Sequence, residues 1–167
     1  MSFRLSEEAK SERMEKIENL FDEWGIRHFN PNETFKLSNP KWVDEIGADE
    51  IFPPPKMMQE NIEDTIKIAD RVRSEWGGPV ICISGFRPHL YNVIIGGAES
   101  SMHIPYRALD LQPANGKYDK FTNHVEKIVK DEREKGKIVG MGKYRTFVHI
   151  DVSCPKKPFI HEYNRNW

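Results

Sequence analysis

Cysteine is scarce in this sequence, which has only Cys82 and Cys154. Two thiols are too few for a disulfide framework and, by themselves, too few for a structural zinc site. They read as reduced, half-buried side chains. Long apolar runs are missing as well. None approaches the roughly 20 residues that a membrane-spanning helix needs, and the opening stretch MSFRLSEEAKSERMEKI lacks the apolar centre of a secretory signal. The expectation is a chain that is cytoplasmic at synthesis and has no membrane span. Nor does one sign of charge dominate: 25 Lys plus Arg stand against 26 Asp plus Glu. That balance supplies no electrostatic footprint for nucleic acid or an acidic membrane surface. Internal repeats and low-complexity segments are absent too.

What remains is a chain of 167 residues, a length that suits one domain with a sizeable core. Met14, Ile17, Leu20, Phe21 and Trp24 recur at helical spacing between a capping Ser6 and a terminating Gly25, which predicts a first helix. Residues 26 to 56 turn irregular, with NPNET, SNP and PPP, and read as a long connection anchored by Phe29, Phe35 and Trp42. A second helix carries Ile62, Ile66, Ala69, Val72 and Trp76 and stops at Gly77. VICIS reads as a buried strand and RALDLQ as another, followed by a PANG turn. A third helix spans about 119 to 135, and KIVGMG with TFVHIDV reads as a hairpin. Helices and strands mix without strict alternation, so the predicted class is α+β with a mainly antiparallel sheet and flanking helices.

The side chains that could do chemistry gather late in the chain. In SMHIPYRALD, His103 and Asp110 are seven residues apart, but Pro105 forbids the uninterrupted helix that would align them. Strand alternation puts Tyr106, Ala108 and Asp110 on one face; it puts His149 and Asp151 together, with Val148, Ile150 and Val152 turned to the core. His103, Asp110 and His149 are then three groups of metal-ligand type. Two histidines and a carboxylate with one open position form a recurrent catalytic zinc arrangement. On residue types alone the same three read more simply as a loop histidine, a turn-capping aspartate and a histidine in a polar pocket.

The motifs around them tip that balance. S-x-H-x-x-x-R-A-x-D at 101–110 follows SGFRPHLYN at 84–92 and GGA at 96–98, and GMGKYRTFVHIDV comes after it. Over roughly residues 53 to 153 this order resembles the M15 zinc peptidases: D-alanyl-D-alanine carboxypeptidases, dipeptidases and related phage endolysins. It is most similar to the branch whose last motif reads His-x-Asp. The resemblance implies the zinc DD-peptidase (hedgehog/DD-peptidase-like) fold, with residues 53–154 as catalytic core, 1–52 as an N-terminal helix and wrapping segment, and 155–167 as a tail of the same domain. It implies that His103, Asp110 and His149 bind one Zn2+, that Arg87 orients substrate and steadies an oxyanion, and that Ser101 lies near the substrate. A planar guanidinium suits both of those tasks. The substrate so implied is a peptidoglycan stem peptide containing D-amino acids, cleaved by a carboxypeptidase or by a phage-encoded endolysin released to the wall.

Two departures from the family pattern stand out. Tyr106 occupies a position that is usually glycine, and its ring is expected to narrow the cleft or stack on a substrate. Thr146 stands three residues before His149, where many members carry an acidic general base, and a threonine cannot serve in that role. Asp151 is the nearest replacement. It reads either as the base or as the partner that holds His149 in its tautomer, with His89 and Glu99 as weaker alternatives in flanking loops. The same departure leaves open a zinc-bound, non-hydrolytic module or a virion component built on this fold. GMG lacks the third glycine of a dinucleotide fingerprint and precedes its strand. His28, His124 and His161 read as surface residues.

Overall fold

The computed structural model describes residues 3–153. Cys154, His161 and the predicted tail lie outside the described residues. Helix α1 spans Glu7–Glu23, and its Ser6 hydroxyl accepts from the Ala9 amide, as an N-cap should. Helix α2, Glu63–Trp76, ends where Gly77 takes the left-handed conformation that a side chain would resist. Strand β1, Val80–Ser84, follows, then a short helix α3, His89–Ile94, and strand β2, Ala108–Pro113. Helix α4, Tyr118–Glu134, leads into the antiparallel hairpin of β3, Ile138–Lys143, and β4, Val148–Ser153.

The four strands form one antiparallel sheet in the order β1-β2-β4-β3. Leu109 and Leu111 of β2, Val148 and Ile150 of β4, and Val139 and Met141 of β3 point to one face, where they are sealed against Ile66, Ala69 and Val72 of α2 and Phe121, Val125 and Ile128 of α4. Ile17 and Phe21 of α1 join the same core, as do Phe29 and Phe35 of the wrapping segment. A smaller cluster forms around Trp42, whose ring meets Tyr91 of α3 and Phe52 edge-on. Among the described residues no helix is long and apolar enough to cross a membrane.

The structure corrects the sequence expectations in three places. VICIS is not wholly buried, because β1 is an edge strand and Ile81 and Ile83 face outward. His89, read as a loop residue, opens α3, and residues 90–94 complete a helix that was not predicted; six residues carry too little periodicity to announce one, and packing against Trp42 supplies what local propensity does not. His124 is half-buried: its Nε2 donates to the Val72 carbonyl at 3.0 Å and its ring lies beside Trp76.

Candidate metal centre

Pro105 poses a question about SMHIPYRALD, and a tight turn answers it. Ile104 N–H reaches the Ser101 carbonyl, Tyr106 N–H the His103 carbonyl and Arg107 N–H the Met102 carbonyl, so the chain folds back on itself before β2 begins. His103 is thereby carried over the open face of the sheet. Asp110 sits on that face of β2 directly across from His149 on β4. One ligand-type atom from each of His103, Asp110 and His149 lies within 4.8 Å of the others, and all three residues are buried.

The hydrogen bonds fix which nitrogen faces which oxygen. His103 Nδ1 meets the Gly85 carbonyl at 2.7 Å; a carbonyl only accepts, so Nδ1 carries the proton. Its Nε2 therefore presents a lone pair to Asp110 Oδ1 at 3.2 Å. His149 Nε2 donates to Asp151 Oδ2 at 3.0 Å, which leaves Nδ1 facing the same Asp110 oxygen at 2.8 Å. Two imidazole nitrogens thus converge on one carboxylate oxygen, with their opposite nitrogens already committed. Such a constellation is held together only by a proton or a cation at its centre, and the donor set suits zinc.

The proton affinities express the same demand. Burial opposes charge on His149, but hydrogen bonds to Asp110 and Asp151 outweigh it and push the imidazole up to about 9. Burial pushes His103 down, the charge of Asp110 pulling the other way. Burial alone would raise Asp110, yet the charge and hydrogen bonds of His103, then of His149, hold it well below the usual carboxylate range.

Arg87 completes the cluster from β1's side. A β-bulge between Cys82 and Ser84 brings Ser84 opposite Asp110; the Ser84 hydroxyl accepts Arg87 Nε at 2.8 Å, and an Arg87 terminal nitrogen donates to Asp110 Oδ2 at 3.0 Å. Asp110 is consequently divided, one oxygen for the imidazoles and one for the guanidinium. Above the cluster lies a cavity of about 340 Å³ walled by Arg87, Ala98, Ser101, His103, Tyr144 and His149. Ser101 Oγ accepts the His103 amide at 3.3 Å, so its own proton remains to be offered. Tyr144 and Phe147 stack at 4.3 Å with planes 7° apart along one wall.

Two expected residues lie elsewhere. Tyr106 does not reach the cleft: it is fully buried, its ring edge-on to Phe86 and its hydroxyl against Thr34. The reason is its backbone, whose φ of 58° swings the side chain off the strand face. A left-handed angle is one that glycine adopts freely and a tyrosine resists. Asp151 is also absent from the cavity wall and only 1% exposed, so its contact with the chemistry is through His149 Nε2. Asp110 is the only carboxylate lining the cavity among the described residues; His89 and Glu99 do not line it, and at Thr146 the backbone carbonyl is what bonds, to Gln112.

Sequence reasoning missed Gly140. It pairs with Asp151 across β3 and β4, and a Cβ built there would stand 2.5 Å from Asp151 Oδ2. The signal was in GMG, as a strand glycine marks a close approach. It also missed Ser84 as the tether of Arg87.

A family model described as peptidase M15 matches residues 28–151, a span that contains every member of the cluster. No curated protein and no solved structure matches the chain.

Proposed function

The chain belongs to the peptidase M15 family, and on that premise we propose that it is a zinc-dependent peptidase cutting amide bonds in peptidoglycan-type stem peptides, as a carboxypeptidase or an endolysin-type endopeptidase. The observation that carries the proposal is the convergence of His103 Nε2, His149 Nδ1 and Asp110 Oδ1 beneath a cavity that also receives Arg87. Zinc held by these three residues supplies Lewis acidity toward a peptide carbonyl and toward water. The remaining donors of Arg87 orient a carboxylate or carbonyl of the substrate and stabilise negative charge developing on the reacting oxygen. Ser101 offers a further hydroxyl proton from the same wall. Asp151 keeps His149 in the tautomer that turns Nδ1 to the cleft, and this reading is preferred to Asp151 as base because the carboxylate is buried behind the ring.

One observation favours a second reading. Among the described residues the cavity wall carries no carboxylate apart from Asp110, so a zinc-bound module that holds a wall fragment without cutting it, or a virion component, is the competing proposal.

Elemental analysis of wild type and His149→Ala, run beside release of stem-peptide fragments from purified peptidoglycan, separates these readings. One zinc per chain with fragment release, both lost in the variant, is the expected result. Zinc without cleavage of any stem peptide supports the binding module. Absence of zinc from metal-supplemented wild type overturns the metal centre.

A further inference from the structure

Thr34 ends the short 3-10 turn Pro31–Thr34, far in sequence from the metal centre, yet its polar groups reach the frame around His103. Its hydroxyl donates its single proton to the Pro31 carbonyl at 2.7 Å. Toward Tyr106, 2.6 Å away, it can then only accept, so the Tyr106 hydroxyl is the donor. The Thr34 carbonyl accepts the Phe86 amide at 2.7 Å and lies so close over Gly85 that any Cβ there would overlap it. The Gly85 carbonyl takes the Nδ1 proton of His103, and the His103 carbonyl in turn accepts from Tyr106 and Arg87 amides at 3.2 and 3.1 Å. The contacts close into a circuit: Thr34 to Gly85, Gly85 to His103, His103 to Tyr106, Tyr106 back to Thr34.

Tyr106 holds a conformation that a tyrosine resists, with φ of 58°. Such a residue persists only where its surroundings over-determine it. Here those surroundings are the Thr34 hydroxyl, the edge of Phe86 and complete burial.

We propose that Thr34 and Tyr106 are positioning residues of the metal centre: their hydroxyl pair clamps the Gly85 carbonyl against His103 Nδ1 and so keeps the Nε2 lone pair of His103 turned to Asp110. The proposal rests on the metal-centre reading and makes residues 31–34 part of that centre. A tyrosine here does what a glycine could not, because glycine satisfies the backbone angle but provides no hydroxyl to reach the N-terminal segment.

The test uses the full chain with Tyr106→Phe, Thr34→Val and Thr34→Ser. Histidine tautomers are read by nitrogen-15 NMR on metal-free protein, and Zn2+ affinity is measured by chelator competition. In wild type His103 is the Nδ1–H tautomer. In Tyr106→Phe and Thr34→Val the Nε2–H form becomes populated and Zn2+ affinity falls about tenfold, the lower end of what loss of an outer hydrogen-bond partner causes. Thr34→Ser keeps the hydroxyl and restores both readouts. If Tyr106→Phe and Thr34→Val lower the unfolding temperature yet leave tautomer and affinity as in wild type, the pair is merely structural and the proposal fails. Wild type that binds no Zn2+ overturns the metal-centre reading instead, and the tautomer arm, read without metal, still decides the circuit.

Discussion

Gly140→Ala tests the arrangement behind His149 with the smallest change available. A Cβ at this position meets Asp151 Oδ2 at 2.5 Å and Oδ1 at 2.7 Å, and all three of its nearest neighbours belong to that carboxylate group. Ordinary contact begins at 3.4 Å, so the carboxylate must retreat by about 0.9 Å. Its hydrogen bond to His149 is 3.0 Å long, and a displacement of that size takes it out of bonding range. Overpacking of this kind costs roughly 2 kcal/mol, within the usual range of about 1–3. In a chain of this length that corresponds to a melting temperature lower by roughly 4–8 °C. Loss of the histidine's partner lowers Zn2+ affinity by about ten- to a hundredfold. Thermal unfolding of metal-free protein and chelator-competition titration measure the two effects separately. The decisive control is Gly140→Ala in an Asp151→Ala background, where the carboxylate is gone and the new methyl group has room. Equal costs in the two backgrounds, or a Gly140→Ala protein with wild-type affinity and melting temperature, would refute the reasoning.

Zn2+ at a hundred times its dissociation constant raises stability by about 2.7 kcal/mol, and the shift seen by differential scanning calorimetry disappears in His103→Ala. Tyr106→Gly relieves a left-handed backbone worth about 1–2 kcal/mol but removes a buried aromatic worth about 3–5. Its denaturant midpoint is therefore expected to fall by the equivalent of roughly 2–3 kcal/mol with an unchanged slope. Glu132 gives a pH test remote from the cleft. Burial would raise its pKa, but hydrogen bonds from Lys137, Lys135 and Arg71 outweigh burial and hold it below the ordinary 4.5. Because the folded value is the depressed one, its contribution is complete above about pH 4.5 and is lost as pH falls through the folded value. The stability gap between wild type and Glu132→Gln, from urea unfolding across pH 3 to 7, should close toward the acid end.

Much of the fold was legible because its elements announce themselves locally. Ser6, Gly25 and Gly77 mark helix ends, and the parity of Val148, Ile150 and Val152 gives the core face of β4, as found. The resemblance pointed to His103, Asp110 and His149, and the turn and the β2–β4 register bring them together. What stayed hidden depends on contacts distant in sequence. Tyr106 was assigned to a strand face because alternation assumes extended backbone, and its left-handed angle breaks the count. GMG marked Gly140 as a site of close approach, but only the strand register shows that the approaching group is the Asp151 carboxylate. Thr34 belongs to a segment that precedes His103 by some seventy positions, and only the folded chain carries it to Tyr106.

The division of Asp110 between two partners bears on ion choice. With Oδ2 occupied by Arg87, the carboxylate has one oxygen to give, and it gives it alongside two nitrogens. Calcium seeks six to eight oxygens and magnesium an oxygen octahedron, so neither finds its preferred shell here, whereas an ion content with few, mixed donors does. The guanidinium also stands as a resident positive charge beside the site, which disfavours any cation that cannot bond strongly to imidazole. On the proposed metal-centre reading, Arg87 biases the site toward ions that bond strongly to imidazole, in addition to acting on substrate.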